Sequence, residues 1–313
     1  MDQRLNLNNH LSKLPNSMKK VVVIGGGNGG AKTIRACKQC IDEIELSAVI
    51  SVSDSGGSSG RLREEFSVLP PGDLLRAILA MSTHDYDTLK SIFYTPRFAV
   101  DGKLSGHNIG NMFLALASEY SEKDIMNAIR ALEQGVGAQG RVFPSTLEQT
   151  QLVVELEDGT VLRGEHDIDR PATLQGPRIA RAWLEPTGQI YEGARAAIED
   201  ADYILFGPGS LYCSIVATIL PEGFKDALTR SRAKFIYIVG NAYEETGEAG
   251  PTRLSDFVHE LEKYLPRKLD AVVYNNHELS EEQLGWYAEK KWKLFEPDLE
   301  NLTEYNIVKG DYG

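Results

Sequence analysis

The sequence predicts an α/β protein with a Rossmann-like, doubly wound, mostly parallel sheet, an extra helical layer and a β-hairpin insertion. Apolar runs such as VVVIGGG (21–27) and ELSAVISVSD (45–54) lack polar alternation, which is typical of strands covered on both faces. Helical patterns alternate with such runs later in the chain, as in YEGARAAIEDA followed by DYILFGPGS. This alternation indicates parallel strands joined by crossover helices.

Two regions interrupt the alternation. Residues 72–134 carry several helical segments in succession with no convincing strand between them, which predicts a helical layer. Residues 151–165 alternate at period two around Asp158-Gly159, which predicts an antiparallel hairpin at an edge of the sheet. The chain shows no internal repeat or long linker, so we expect one elaborated domain over residues 19–313, preceded by a polar extension over residues 1–18.

Composition narrows the class of protein. A chain of 313 residues that is 42% apolar and 25% charged can bury a large core. Its net charge of −12 opposes general binding to nucleic acid, which depends on many contacts between basic side chains and phosphates. No run reaches the roughly 18 apolar residues of a membrane span, and the first residues lack the apolar segment of a signal peptide. We therefore expect a cytoplasmic protein without membrane insertion, and a homo-oligomer is compatible with these features.

The three cysteines are too few for a disulfide framework. Cys37 and Cys40 have the spacing of half a zinc site, but no second pair of ligands follows at suitable spacing. We expect inert cysteines.

The first glycine-rich loop, Gly25-Gly26-Gly27-Asn28-Gly29-Gly30, follows a strand and opens a helix. In this context the G-x-G-x-x-G pattern indicates a phosphate-binding loop, because bare backbone amides at a helix start can approach a phosphate. Asp54, at the end of the second strand, is where a dinucleotide enzyme places an acidic residue. The alternative is that the glycines only allow a tight turn between strand and helix.

A second loop, SDSGGSSGRLREEF (53–66), runs from a strand into a charged helix with no bulky side chain from Asp54 to Gly60. We expect Arg61 and Arg63 in the first helical turn, where a bound anion would offset their unfavourable interaction with the helix dipole. The alternative is a flexible surface loop in which a serine only caps the helix. The loop is not part of the usual dinucleotide fingerprint, so a different ligand is expected here.

Three further turns repeat this pattern of glycine and polar residues. Asp73 in PPGD is either a helix N-cap or a partner for a metal or hydroxyl group. SGHNIGN (105–111) sets a histidine and two asparagines at a helix start, where the histidine is either structural or part of a binding loop. FGPGSLY (206–212) closes a strand and suits a phosphate. Because parallel strands end along one side of a sheet, we expect residues 25–30, 54–61, 105–111 and 207–210 to surround one cleft.

These motifs together resemble the CofD-like superfamily, and the resemblance is closest to its gluconeogenesis-factor (YvcK) branch. It is carried by the glycine loops, by SGHNIGN and FGPGSLY, and by the segment containing Gly240, Asn241, Gly247 and Glu248. The resemblance implies a Rossmann-like cleft for a nucleotide-diphosphate ligand. In the gluconeogenesis-factor branch it implies a cytoplasmic protein that binds a nucleotide sugar and supports cell shape and envelope metabolism during gluconeogenic growth. The other branch transfers a phospholactyl group from a guanosine diphosphate-linked donor.

Two departures from the family pattern affect the site. The gluconeogenesis-factor branch has two adjacent aspartates where this chain has Asp54 followed by Ser55, so one possible magnesium ligand is missing. Asn28-Gly29-Gly30-Ala31-Lys32 is closer to the transferase branch. In WYAEKK, Tyr287 matches the tyrosine that the family associates with nucleotide-sugar binding.

The sequence therefore predicts a regulatory protein that binds a nucleotide sugar or another nucleotide diphosphate. The alternative is a CofD-type transferase, and the third possibility is a protein that binds nicotinamide adenine dinucleotide. No cofactor is certain. If magnesium is used, Asp54 and Asp73 are its candidate ligands, and they are also the candidate catalytic residues. The predicted ligand-binding residues are Gly25, Gly26, Gly27, Asn28, Gly29, Asp54, Ser58, Ser59, Arg61, His107, Asn108, Asn111, Gly207, Gly209, Ser210, Asn241 and Tyr287.

Overall fold

A computed structural model describes residues 18–99, 102, 104–120, 124–169, 176–245 and 247–312. Residues 1–17 of the predicted N-terminal extension lie outside this part of the chain.

The described strands are β1 (Lys19–Gly25), β2 (Ile44–Ile50), β3 (Arg141–Pro144), β4 (Gln151–Leu156), β5 (Val161–Arg163), β6 (Ile179–Glu185), β7 (Tyr203–Phe206), β8 (Lys234–Ile238), β9 (Ala242–Glu244), β10 (Ala271–Asn275), β11 (Trp292–Leu294) and β12 (Ile307–Gly310). The helices are α1 (Gly27–Lys38), α2 (Gly57–Phe66), α3 (Gly72–Met81), α4 (Tyr86–Phe93), α5 (Ile109–Tyr120), α6 (Ile125–Gly135), α7 (Glu165–Ile168), α8 (Glu192–Glu199), α9 (Ala217–Ile219), α10 (Phe224–Arg230), α11 (Leu254–Glu262) and α12 (Glu281–Glu289). A π-helical segment (Leu211–Val216) runs directly into α9, and a 3-10 turn covers Leu299–Leu302.

The main sheet has seven strands in the described part of the chain, in the order β12-β10-β8-β7-β1-β2-β3. All its neighbouring strands run parallel. On one side of β1 lie β2 and then β3. The chain then returns to the other side of β1, where β7, β8, β10 and β12 follow in order toward the opposite edge. The predicted doubly wound sheet is confirmed, with its switch point between β1 and β7.

Alternate residues of β1 pack into two different cores. Val22 and Ile24 join the core under β7, β8, α8 and α11, whereas Val21 and Val23 join the core under α1, α3 and α6. Both faces of this strand are therefore buried. This explains why its sequence is continuously apolar instead of alternating.

The predicted helical layer is present. Within the described residues, α3, α4, α5 and α6 follow one another without an intervening strand. Helix α3 is the buried centre of the layer, because eight of its ten residues are buried. Helices α1, α4, α5 and α6 pack around it.

The predicted hairpin is antiparallel, but its predicted place at an edge of the main sheet is wrong. Strands β4 and β5 pair with β6 in a separate three-stranded sheet, in the order β5-β4-β6. The edges of the main sheet are occupied by β3 and β12, two short strands that the sequence patterns did not reveal. Strand β3 has only four residues, and β12 has partly exposed ones, so neither forms an apolar run.

Candidate functional site

The loops that follow β1 and β7 meet at the switch point of the main sheet. A Cβ atom placed on Gly29 would lie 2.1 Å from the carbonyl oxygen of Pro208. The Thr33 hydroxyl of α1 donates to the carbonyl oxygen of Gly207 at 3.0 Å. Glycine is therefore required at position 29 by the packing of the two loops, whether or not a ligand binds there.

Asp73 connects the first glycine loop to α3. Its Oδ2 accepts from the Gly27 N–H at 2.9 Å, and its Oδ1 accepts from Arg76 at 2.7 Å. The N-cap of α3 is Pro71, without a side-chain hydrogen bond, so of the two alternatives for Asp73 the N-cap of its own helix is wrong. Burial raises the pKa of Asp73, and Arg76 opposes that rise. The Gly27 amide, one of those predicted to meet a phosphate, is thus occupied by a carboxylate of the chain itself.

Asp54 begins the second loop, which folds back on itself. Its Oδ1 accepts from the Gly56 N–H at 2.6 Å. A Cβ atom on Gly60 would lie 2.2 Å from the Ser55 carbonyl oxygen, and one on Gly72 would lie 2.5 Å from the Ser59 hydroxyl. Much of the bare backbone in this stretch is needed because α2 starts in contact with its own loop and with the start of α3.

The predicted place of Arg61 and Arg63 in the first turn of α2 is wrong, and Arg63 lies in the last turn. The helix begins at Gly57, so Arg61 lies in its second turn and the argument from the helix dipole does not apply. Its side chain is exposed and donates to the Ser105 carbonyl oxygen at 2.7 Å. Arg61 therefore spans from α2 to the loop before α5.

The SGHNIGN turn also packs against α2. Ser58 Oγ lies 2.8 Å from His107 Nδ1 and accepts from Asn111 Nδ2 at 3.2 Å. Asn108 Oδ1 accepts from the Asn111 N–H at 2.7 Å, which starts α5. These side chains are brought together as expected, but they are almost fully buried.

Glu165 was missed by the sequence analysis. It is the first residue of α7, just beyond the hairpin, and a Cβ atom on the preceding Gly164 would lie 2.7 Å from Ser55 Oγ. Burial raises the pKa of Glu165 to about 10, and the charges of Asp54 and Asp73 add to the rise. Glu165 therefore adds a third carboxyl group to Asp54 and Asp73, the two that the sequence predicted for this site.

The first backbone amides of the π-helical segment donate to a carboxylate of the chain itself. Glu248 accepts from the backbone N–H groups of Tyr212 at 3.0 Å and of Cys213 at 3.1 Å, and also from that of Leu211. Burial, and then the charge of Asp169, raises the pKa of Glu248 to about 7. The amides that follow Ser210 were predicted to suit a phosphate, and Glu248 already occupies them.

Asp169, Cys213 and Glu248 offer ligand atoms that lie within 4.8 Å of one another. Both oxygens of Glu248 are already accepting from backbone amides, and those amides bring the positive end of a helix to this point. Burial also raises the pKa of the Cys213 thiol well above its usual value, which opposes the thiolate form that binds metals. The electrostatics of this cluster therefore disfavour a cation.

Asn241 and Tyr287 lie beyond the carboxyl end of β8. Asn241 is exposed and precedes β9, which pairs with β11. The Tyr287 ring, on α12, packs edge-on against Trp292 of β11 with 5.5 Å between centroids. These two residues thus belong to a small unit next to the sheet, whereas the glycine loops lie at the switch point.

A cavity of about 210 Å³ lies elsewhere, lined by residues that include Tyr212, Gly250, Asp256, His259 and Lys263. It contains none of the predicted site residues. Among the described residues, no helix is both long and apolar enough to cross a bilayer.

Comparison with known proteins agrees with the motifs. The family model described as 2-phospho-L-lactate transferase CofD matches residues 21–311. The gluconeogenesis factor of Listeria innocua is 38% identical over 267 residues, covering 85% of this chain and 80% of that protein. The gluconeogenesis factor of Listeria monocytogenes is 37% identical with the same coverage. A crystal structure of a member of the UPF0052 family from Bacillus halodurans superposes with a TM-score of 0.85 at 30% identity, covering 95% of this chain and 94% of that one. On these grounds the chain is a member of the CofD family, within which it is similar to the gluconeogenesis factors.

Proposed function

We propose that this protein binds a nucleotide-diphosphate ligand, such as a nucleotide sugar, in the crevice at the switch point, and that it acts as a regulator. The observation that carries the proposal is the contact between the loops after β1 and β7, because ligands of doubly wound sheets bind where the strand order reverses. The names of the similar proteins support a regulatory role linked to gluconeogenic growth. Roles in cell shape and envelope metabolism are part of the same proposal.

The charges around the crevice restrict how a diphosphate can bind. The amide of Gly27 and those at the start of the π-helical segment are occupied by Asp73 and Glu248. The first turns of α1 and α2 remain, since initial helical amides have no acceptor within their own helix. We therefore assign the phosphates to the amides of Asn28 and Gly29 and of Ser58 and Ser59, with Arg61 at the rim.

A diphosphate at these amides would lie close to the carboxyl groups of Asp54, Asp73 and Glu165, so its charge needs compensation. Carboxylate oxygens are the ligands that magnesium prefers, and this donor set fits such an ion. Asp54 and Asp73 would hold the ion, Asp73 through the second lone pair of an oxygen that also accepts from Gly27 or Arg76. Glu165 supplies a carboxyl group in place of the one missing at Ser55. When bound, the ion would neutralise phosphate charge.

The same carboxyl groups favour a second candidate, a CofD-type transferase that moves a phospho-linked group from a nucleotide-diphosphate donor. Phosphoryl chemistry depends mainly on positioning and charge stabilisation, so the same crevice would serve both functions. Asp54 would then hold the ion that binds the donor phosphates, and Arg61 would stabilise their charge. The two candidates differ only in whether the ligand is consumed.

A thermal-shift screen tests the proposal and separates its alternatives. It would compare uridine diphosphate sugars, guanosine diphosphate and nicotinamide adenine dinucleotide, each with and without magnesium, followed by chromatography of the recovered ligand. Stabilisation by an intact nucleotide sugar supports the regulator. Conversion of a diphosphate-linked donor in the presence of an acceptor supports the transferase, and stabilisation by the dinucleotide alone would exclude both.

A further inference from the structure

A buried polar contact joins the start of α2 to the start of α5. Ser58 Oγ lies 2.8 Å from His107 Nδ1, and Asn111 Nδ2 donates to the same oxygen at 3.2 Å. Ser58 is 7% exposed, and His107 and Asn111 are each 2% exposed. A ring so fully covered does not face a ligand in the crevice. His107 can therefore affect the ligand only through its contact with Ser58.

One protonation state of His107 gives the hydrogen of the Ser58 hydroxyl a partner. Because the Asn111 amide nitrogen can only donate, Ser58 Oγ accepts from it and has its own hydrogen free to give. That hydrogen reaches His107 Nδ1 only if this nitrogen carries a lone pair. We therefore assign His107 as a neutral imidazole with its proton on Nε2, because a proton on Nδ1 would leave the buried Ser58 hydrogen without this partner.

The charges around the ring favour the same neutral form. Burial lowers the pKa of His107, and Arg61 of α2 and Arg97, from the segment after α4, lower it further, while Glu65 of α2 opposes them. The two arginines also hold the loop that carries the histidine. Arg61 donates to the Ser105 carbonyl oxygen at 2.7 Å, and Arg97 donates to that of Gly106 at 2.8 Å.

We propose that His107 is a positioning residue, whose Nδ1 fixes the Ser58 hydroxyl and so sets the first turn of α2 in the geometry that receives the ligand phosphates. This inference rests on the proposed function. Protonation would convert Nδ1 from an acceptor to a donor, so Ser58 Oγ would face two donors and its own hydrogen would lose its partner. The contact would then rearrange. Ligand affinity should fall as His107 takes up a proton.

Asparagine offers a matched variant at this position. Its Oδ1 lies close to where Nδ1 lies in histidine and accepts a hydrogen bond, but it does not titrate. His107→Asn should therefore keep the position of Ser58 and remove the dependence on pH. His107→Ala and Ser58→Ala remove the contact altogether.

The test is calorimetric titration with uridine diphosphate glucose and guanosine diphosphate mannose, each with magnesium, from about pH 7.5 to about pH 5. The diester phosphates of these probes do not titrate in that range. We expect the wild-type affinity to fall at least about fivefold on acidification, while His107→Asn stays within about twofold of its own value at neutral pH. At neutral pH, Ser58→Ala should bind about tenfold more weakly than wild type, the loss of one hydrogen bond to an ordered group.

The outcomes separate this inference from the proposed function. Failure of the wild type to bind either probe at neutral pH overturns both. Binding with the same pH profile in wild type and His107→Asn overturns the positioning role alone. If the alanine variants fail to fold, the two pH profiles still decide the question, and nitrogen NMR of the wild-type imidazole gives a second readout. A proton found on Nδ1 at neutral pH would contradict the inference directly.

Discussion

Gly29 lies so close to Pro208 that a Cβ atom at position 29 would be 2.1 Å from the Pro208 carbonyl oxygen. The close approach is between two backbones, so neither a side-chain rotation nor a water molecule can relieve it. This contact joins the two loops that leave the switch point of the sheet.

We expect Gly29→Ala to lower the free energy of unfolding by about 1–3 kcal/mol, because the added methyl group overpacks a backbone contact. Gly285→Ala is the control, since nothing lies within 4 Å of a Cβ at that exposed position of α12. Alanine there should stabilise the helix by up to about 1 kcal/mol. Urea denaturation measures both. A Gly29→Ala protein as stable as wild type would show that the two loops are not packed as described.

The prediction from sequence succeeded where local signals were sufficient. Apolar runs identified β1, β2 and β7, and the order of strands and helices gave the doubly wound class. The start of α2 was misplaced because glycine is unfavourable in helices, yet Gly57 and Gly60 lie inside this one. Gly57 has a positive φ of 50°, and a Cβ atom on Gly60 would lie 2.2 Å from the Ser55 carbonyl oxygen. Glu165 was missed because its nearness to Asp54 depends on where a separate sheet docks, which no local pattern reveals.

Glu165→Gln should change how stability depends on pH. The pKa of Glu165 is raised from its ordinary value of 4.5 to about 10, so the folded protein binds a proton that the unfolded chain releases. Wild-type stability should therefore fall as pH rises through this range, by up to about 1.4 kcal/mol per pH unit for one proton. The glutamine variant does not contribute to this slope. Its stability relative to wild type should thus increase with pH.

Urea denaturation at a series of pH values without magnesium measures this effect. Glu157→Gln, at an exposed position of the hairpin turn, is the control and should follow the wild-type curve. Parallel curves for wild type and Glu165→Gln would show that Glu165 is ionised in the folded protein. Magnesium should raise the stability of the wild type more than that of Glu165→Gln, because the ion would replace the bound proton.

Arg61→Ala should weaken binding of uridine diphosphate glucose by about 1.5–3 kcal/mol, the usual range for a hydrogen bond to a charged group. Since Arg61 is exposed, the free energy of unfolding should change little. Arg232→Ala is the matched control, because Arg232 is also exposed but precedes β8 at the opposite end of the strands. Calorimetry on both variants checks this. If wild type and Arg61→Ala bound the ligand with equal affinity, the only role left for Arg61 would be its contact with Ser105.

Asp54→Asn should weaken binding and remove its dependence on magnesium, because an amide is a poor replacement for a carboxylate ligand. Part of the loop geometry should survive, since the asparagine oxygen can still accept from the Gly56 N–H. Titrations at several magnesium concentrations separate the two effects. Wild-type binding that ignores magnesium would exclude the ion from the proposal and leave Asp54 as a hydrogen-bonding residue.

The most direct test of the central claim is a crystal structure of the protein with a uridine diphosphate sugar and magnesium. We expect the diphosphate between the first turns of α1 and α2, within hydrogen-bonding distance of the amides of Gly29 and Ser59, with the ion on Asp54 and Asp73. The claim would be contradicted if the ligand occupied the cavity beside Tyr212 and Gly250 and left the switch-point crevice empty.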